Sequence, residues 1–148
     1  MSCKRKEKAA VVSQEQIARD IYSMWIRTEE IAGLAVPGQF LSMYTEDQSK
    51  LLPRPISLCE IDRKQNMLRV VYRVTGEGTG TEQFSRLRPG DTIEILGPLG
   101  NGFPLEPGTG KKVFLIGGGI GVPPMLELAK QLEAEKQLVM GYRDEQFL

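Results

Sequence analysis

The sequence predicts two structural parts: a small antiparallel Greek-key β-barrel and, after it, the first β-α-β unit of an α/β domain. Six short apolar segments separated by turn signals, with one short helical segment among them, make up the first part, and this pattern is typical of a small barrel. After residue 110 the order becomes strand, glycine loop, helix and strand, which is one β-α-β unit. We therefore expect a barrel domain over residues 1–108 and an incomplete α/β domain over 109–148, divided at the turn-forming segment PGTG.

The six barrel strands are expected where apolar and β-branched residues lie between turn signals. They span residues 8–14, 16–28, 39–44, 55–61, 67–74 and 91–96. The second segment is ambiguous. Ile17, Ile21 and Trp25 fit one face of a strand, but the same residues fit a helical stripe once Met24 is added. We assign it to a strand, because its Thr, Ile, Tyr and Trp residues favour that conformation.

Two helices complete the pattern. A short helix is expected over 81–87, and residues 97–103 are expected to form a tight loop. In the second part, a buried strand over 113–116 and a glycine loop precede a helix over 123–136, which carries proline in its first turn. A second strand follows over 137–142.

The predicted β-α-β unit is too small to complete an α/β domain. A parallel sheet is buried on both faces and needs several strands with helices on each side. We therefore expect either that the sequence is a truncated form of a longer protein or that a partner covers the unfinished sheet.

The composition argues against several classes of function. Net charge is zero, with 19 basic and 19 acidic residues, whereas domains that bind nucleic acid or anionic membranes usually carry a basic excess. No apolar run is long enough to cross a bilayer, and the charged first residues do not resemble a signal peptide. We therefore expect a cytoplasmic protein that binds neither nucleic acid nor membrane.

The residue types that are missing exclude further chemistry. The sequence has no histidine, which excludes His-based nucleophilic triads and His metal sites. Its two cysteines are too few for a disulfide framework or a four-thiolate metal site, and Cys59 is expected to be a small buried apolar residue. We identify no catalytic side chain and no metal ligand, so any redox chemistry would need a bound organic cofactor.

The first candidate site is the segment Arg54-Pro55-Ile56-Ser57, at the start of the fourth strand. Proline fixes its own φ and pushes the preceding residue toward extended geometry, so Arg54 is held extended between two prolines. A guanidinium is a rigid fork that suits phosphate oxygens, and Ser57 adds a hydroxyl that can donate or accept. An edge strand with an exposed arginine explains the segment equally well.

The second candidate site joins Tyr72-Arg73 to the glycine-rich loop that follows, with Gly78 and Thr79 at the start of the predicted helix. Glycines let the chain turn and leave its N–H groups open. A helix start favours an anion, and a threonine there can cap the helix or bind phosphate. Taken alone, the loop is better explained as a glycine turn before a capped helix.

The third candidate site is the glycine loop over 117–121 with the prolines that follow it. It follows a strand and opens a helix, which is the context of a dinucleotide loop. It departs from the G-x-G-x-x-G fingerprint because Pro124 stands where the last glycine would be. Met140-Gly141-Tyr142 also stands where an acidic ribose ligand is expected. We expect nucleotide contact without standard Rossmann recognition; the alternative is a turn that only packs helix on strand.

Together, and in this order, these segments resemble the ferredoxin reductase type of flavoprotein, and among them the electron transfer subunits of dihydroorotate dehydrogenase B. The resemblance covers the chain from about residue 8 to its end. The residues that carry it are Arg54-Pro55-Ile56-Ser57, Val71-Tyr72-Arg73 with Gly78-Thr79, residues 97–103 (GPLGNGF) and residues 117–124 (GGGIGVPP).

The resemblance implies an FAD-binding barrel followed by a nicotinamide-binding domain. By this likeness Arg54 would bind the FAD diphosphate, and Ser57 would lie near the reactive edge of the flavin, next to Pro55 and Ile56. Val71, Tyr72 and Arg73 would line the cofactor, and Gly78 and Thr79 would hold its phosphates. Gly118, Gly119 and Gly121 would help to admit NAD.

The resemblance also implies partners. In that family an FMN-containing catalytic subunit oxidises dihydroorotate in pyrimidine biosynthesis. Electrons then pass through a 2Fe–2S cluster to the FAD of the electron transfer subunit, and from there to NAD, within a heterotetramer.

The sequence departs from this family in three ways. It lacks the C-terminal region that carries the cluster cysteines, and most of the nicotinamide domain. We therefore expect NAD binding to be weak or absent, and the chain to be inactive alone because it is truncated. Ile56 also stands where ferredoxin reductases often have an aromatic residue that packs on the flavin.

Two alternatives remain on the sequence alone. The chain could be the small flavoprotein subunit of another NAD(P)H-ferredoxin oxidoreductase or of a hydrogenase. It could also be a flavin-free interaction fragment.

Overall fold

The computed structural model describes residues 3–47, 49–50, 52–106 and 110–147, and it contains a closed six-stranded barrel. The barrel strands are β1 (Arg5–Ala18), β2 (Ile21–Arg27), β3 (Phe40–Met43), β4 (Arg54–Asp62), β5 (Met67–Arg73) and β6 (Thr92–Leu99). Around the barrel they follow the order β1-β2-β5-β4-β3-β6 with antiparallel neighbours. The predicted antiparallel Greek-key barrel is confirmed.

A β-α-β unit follows the barrel, as predicted. The strands β7 (Lys112–Gly118) and β8 (Glu135–Gly141) pair in parallel. A short 3-10 turn and the helix α3 (Pro124–Gln131) connect them. The predicted boundary between residues 108 and 109 lies outside the described residues and stays a prediction.

The single strand predicted over residues 16–28 is wrong in the middle. Strand β1 continues to Ala18, and a tight turn then leads into β2 at Ile21. Asp20 takes a left-handed φ of 59° in this turn, a conformation that aspartate tolerates better than most residues. The turn contains no glycine or proline, and for that reason the sequence pattern does not reveal it.

The helices also differ from the predictions. The short helix α1 (Ile31–Leu34) was not expected, and α2 (Gly80–Ser85) begins one residue earlier and ends two residues earlier than the predicted 81–87. Helix α3 is shorter than the predicted 123–136, because Leu132 is already extended at its C-terminal end. Residues 97–99, predicted as the start of a loop, continue β6.

Each part has its own hydrophobic core, and a third, smaller cluster of Ile21, Cys59 and Val71 lies on the outer face of the barrel. Inside the barrel, alternate strand residues are fully buried, among them Met24, Leu41, Leu58 and Leu68, as the period of a β-strand requires. A second cluster of Leu115, Leu128 and Leu132 packs α3 on the two-stranded sheet. No helix in the described part of the chain is long and apolar enough to span a membrane.

Candidate cofactor-binding site

Strands β4 and β5 diverge at the end of the barrel that contains the candidate residues predicted on these two strands. The described ladder between them runs from Asp62 paired with Met67 to Leu58 paired with Val70. Beyond that point, residues 54–57 pair with β3, whereas residues 71–73 pair with β2. The candidate residues of the two strands therefore lie on opposite sides of a split in the sheet.

The Arg54 side chain lies against the start of α2. A Cβ atom added to Gly80 would come within 3.1 Å of Arg54 Nε and 3.3 Å of Arg54 Cγ. The Arg54 guanidinium also donates a hydrogen bond to the Leu52 carbonyl at 3.2 Å. Two features that are separate in the sequence, the proline-framed arginine and the glycine-rich loop, are therefore adjacent in the structure.

The loop before α2 is closed by its own side chains. Thr79 is the N-cap residue and its hydroxyl accepts from the Glu82 N–H at 3.3 Å, while the Glu82 carboxylate accepts from the Gly78 N–H at 2.6 Å. This pair is a variant of the capping box, because the Glu82 carboxylate accepts from the residue before the N-cap rather than from the N-cap Thr79 itself. The Gly78 N–H and the Arg86 guanidinium lower the pKa of Glu82. A ligand that contacts the Gly78 amide has to replace the Glu82 carboxylate there.

The Tyr72 side chain points into the barrel, away from the split between β4 and β5. It is 1% exposed, its ring stacks on Tyr22 with centroids 5.9 Å apart, and its hydroxyl donates to Gln14 Oε1 at 2.6 Å. Burial raises the pKa of this hydroxyl. Any contact of Tyr72 with a ligand outside the barrel would have to come from its backbone, whereas Val71 and Arg73 face outward.

A cavity of about 420 Å³ lies between the outer face of the barrel and the β-α-β unit. Its walls are apolar. The barrel contributes Ile17, Ala18, Ile21, Cys59 and Val71, and the β-α-β unit contributes Ile120, Val122, Pro123, Leu126, Leu138 and Met140. Arg69, Arg73, Arg143 and Tyr142 add polar groups. The cavity suits a ligand with a large apolar surface and an anionic or polar edge.

Most of this apolar lining could not be identified from the sequence. Ile17 and Ile21 lie on the outer face of their strands, a position that is usually exposed to solvent. Cys59 is buried as expected, at 3% exposure. It lies in the cavity wall rather than inside the barrel, and burial raises the pKa of its thiol to about 11.

The glycines of the third segment divide into two kinds. A Cβ atom on Gly117 would lie 3.1 Å from both the Gly121 carbonyl oxygen and Val122 Cα, so this glycine permits close packing of strand and helix. A Cβ atom on Gly118, Gly119 or Gly121 would meet no atom within 4 Å. Gly119 lines the cavity and has a left-handed φ of 54°. Space beside these three glycines is therefore open to a ligand.

The remaining predicted residues lie at the start of β4. Ile56 packs against the barrel core, while Pro55 and Ser57 are exposed. The structure thus forms two groups from the predicted set: Arg54, which lies against Gly80 directly after Gly78 and Thr79, and Val71 and Arg73 with Gly119. Within the described residues, no cluster of three or more His, Cys, Asp or Glu side chains could hold a metal ion.

Residues 8–103 match the family model described as "Oxidoreductase FAD-binding domain". Two curated relatives are named "Dihydroorotate dehydrogenase B (NAD(+)), electron transfer subunit". That of Geobacillus sp. (strain WCH70) is 46% identical over 130 residues, which cover 86% of this chain and 50% of the relative. That of Streptococcus mutans serotype c is 45% identical over 141 residues, which cover 93% of this chain and 54% of the relative.

A solved structure is similar over the same region. The NADH-dependent reduced ferredoxin-NADP oxidoreductase of a study on flavin-based electron bifurcation superposes with a TM-score of 0.82 at 29% identity. The similarity covers 95% of this chain and 50% of that chain. This chain spans about half the length of the curated relatives that it matches. It belongs to the oxidoreductase FAD-binding domain family, and electron transfer subunits of dihydroorotate dehydrogenase B are among its relatives.

Proposed function

We propose that this chain binds FAD and acts as the electron transfer subunit of an NAD-linked dihydroorotate dehydrogenase in pyrimidine biosynthesis. The observation that carries the proposal is the position of Arg54 against Gly80 at the split between β4 and β5. A preorganised guanidinium beside a glycine-rich turn is suited to a diphosphate.

The residues present fit the two chemically different ends of FAD. Arg54 would hold the diphosphate, with Gly78 and Thr79 beside it. The apolar cavity walls, including Val71 and Gly119, would surround the flavin ring and exclude water from it. Bound flavin supplies the redox chemistry that the side chains of this chain cannot supply.

The assignment of the electron donor and acceptor is also part of the proposal. The curated relatives are named as NAD-linked electron transfer subunits, which supports a separate catalytic subunit as partner. The proposal adds that this subunit contains FMN and that the two form a cytoplasmic heterotetramer. The open space beside Gly118, Gly119 and Gly121 would admit the nicotinamide. A 2Fe–2S cluster would need ligands beyond the two cysteines of this sequence.

The proposal is tested by an absorption spectrum of the purified chain and by titration with FAD. We expect flavin bands without cluster bands. We expect Arg54→Ala to weaken FAD binding by about tenfold or more, since hydrogen bonds to charged groups contribute roughly 1.5–3 kcal/mol. Arg19→Ala is the matched control, because the Arg19 side chain is 78% exposed on the turn after β1. Equal FAD affinity of Arg54→Ala and the parent would rule out the diphosphate role.

A second candidate function follows from the likeness to the ferredoxin-NADP oxidoreductase. At 29% identity and a TM-score of 0.82, that protein favours an electron transfer role with a ferredoxin-type partner as well. Co-purification separates the two: a dihydroorotate-oxidising subunit supports the first, and a ferredoxin or its reductase partner supports the second.

A flavin-free interaction module is the third candidate. The capping box favours it, because Glu82 already satisfies the Gly78 amide that a phosphate would need. A colourless protein whose thermal unfolding ignores added FAD would support this function and exclude the other two.

A further inference from the structure

The cavity between the barrel and the β-α-β unit has walls from both parts, so its width depends on how α3 is seated on the barrel. Leu126 on α3 and Cys59 on β4 face this cavity from opposite sides. Each is the sequence neighbour of a charged residue, Glu127 and Glu60, that takes part in the contact between α3 and β4. Loss of that contact would allow these two walls to separate.

The central group of this contact is the Glu127 carboxylate, which is buried at 5% exposure. Its Oε2 accepts from the Ile61 N–H on β4 at 2.9 Å, and its Oε1 accepts from Gln131 Nε2 on α3 at 2.8 Å. Ile61 follows a β-bulge, where the pairing of β4 with β5 shifts between Leu58 and Glu60. Helix α3 is therefore attached to the barrel at a defined backbone position.

A second contact lies one turn along α3. Lys130 forms an ion pair with Glu60, which in turn pairs with Arg69 at 2.6 Å. Arg69 Nε donates to Ser23 Oγ at 2.8 Å, and Arg69 also lines the cavity. The contact of α3 is thus continuous with side chains on β4, β5 and β2.

We propose that Glu127 is a positioning residue that holds α3 on β4 and thereby keeps the cavity closed around its ligand, with Lys130 as a weaker second attachment. The identity of that ligand rests on the proposed function. The position of α3 on β4 does not depend on the proposed function, and it can be measured without flavin.

Cys59 provides the measurement, because its thiol lies in the cavity wall and is 3% exposed. In a Cys3→Ser background it is the single thiol of the chain, and its rate of alkylation by iodoacetamide reports how often the cavity opens. Opening also releases the thiol from the burial that raises its pKa.

We expect Glu127→Ala to raise the alkylation rate of Cys59 by about tenfold or more, the order expected when a hydrogen bond to a charged group is lost. Glu127→Gln retains an acceptor for the Ile61 N–H and should restore most of the slow rate. Lys130→Met should give a smaller increase. Glu133→Ala is the matched control, since Glu133 is an exposed carboxylate just after α3, and its rate should equal that of the parent.

A further control separates opening of the cavity from unfolding of the barrel. Tyr72→Phe removes a hydrogen bond inside the barrel and leaves α3 untouched, so its alkylation rate should stay at the parent value. An increase in Tyr72→Phe or Glu133→Ala as large as that in Glu127→Ala would overturn the proposal. If circular dichroism shows that Glu127→Ala does not fold, the test passes to Lys130→Met. A Cys59 alkylation rate in Lys130→Met equal to that of the parent then overturns the proposal.

Saturating FAD tests the proposed function in the same assay. If FAD does not slow alkylation in the parent, the cavity is not the flavin site, but the Glu127 result without FAD still decides whether α3 closes it. If FAD protects Cys59 and Glu127→Ala reacts at the parental rate, the positioning role fails and the flavin site stands.

Discussion

Val71 and Tyr72 are neighbours in the chain, but their side chains lie on opposite faces of β5. Val71 lines the cavity outside the barrel, whereas Tyr72 is buried inside it. The Gln14 amide accepts from Tyr72 at 2.6 Å and donates to the Phe84 and Leu87 carbonyls, both at 2.9 Å. At the residue scale, Tyr72 therefore contributes to stability by satisfying Gln14, which ties the end of α2 to β1.

We expect Tyr72→Phe to lower the free energy of unfolding by about 1–3 kcal/mol, because Gln14 Oε1 would lose its buried donor. Urea unfolding measures the change. Tyr22→Phe is the matched control, since it keeps the stacked pair of rings, whose planes lie 18° apart. Equal losses in the two variants would show that the hydroxyl of Tyr72 has no special role.

At the scale of elements, α2 is a short helix whose first turn is stabilised by its own side chains. The Glu82 carboxylate accepts from the Gly78 N–H, and this bond with the Arg86 ion pair keeps the pKa of Glu82 below its ordinary value. The contribution is therefore complete above the ordinary pKa of a glutamate, and is lost as pH falls through the lower pKa in the folded state.

We expect Glu82→Ala to speed hydrogen exchange of the Gly78 amide at neutral pH, since that amide would lose its acceptor. Nuclear magnetic resonance measures the exchange rate of this amide. Glu77→Ala is the matched control, because Glu77 is an exposed carboxylate in the same loop. The parent should lose its protection in acid, where Glu82 becomes protonated. Unchanged exchange in Glu82→Ala would mean that the capping box does not persist in solution.

At the scale of the whole molecule, Glu60 links the barrel to the β-α-β unit. Burial would raise the pKa of Glu60, but hydrogen bonds from Lys130 and Arg69 outweigh burial and hold it below the ordinary value. This contribution to stability is fully present above the ordinary pKa of a glutamate. It disappears as pH falls through the folded-state pKa, because the protonated acid no longer pairs with two cations.

We expect the Glu60→Gln variant to lose less stability between pH 5 and pH 3 than the parent does. The stabilisation that the ionised Glu60 carboxylate gives the parent, and that acid removes, is already absent from this variant. Thermal unfolding followed over this range of about two pH units measures the slope. Glu94→Gln removes a carboxylate from an exposed ion pair on β6, and its slope should match that of the parent. A parental slope for Glu60→Gln would exclude Glu60 as an acid-sensitive link.

Local signals identified several features without tertiary information. The succession of short apolar segments between turn signals indicated the barrel. The glycines and prolines between β7 and α3 indicated the loop there. The turn at Asp20 was missed, because left-handed aspartate leaves no distinct pattern in the sequence. The end of α3 at Gln131 was also missed, since the apolar residues beyond it continue a helical spacing while the chain already turns toward β8.

The sequence alone identified Arg54, Gly78 and Thr79 as candidates for phosphate contact, because a proline-framed arginine and a glycine-rich turn are local features. Only the tertiary structure decided that Arg54 meets Gly80, that Tyr72 faces inward, and that Cys59 and Leu126 share one cavity. The physical reason is that strand pairing and the bulge in β4 set which side chains face each other across the molecule. These contacts join residues far apart in the chain, and no local pattern encodes them.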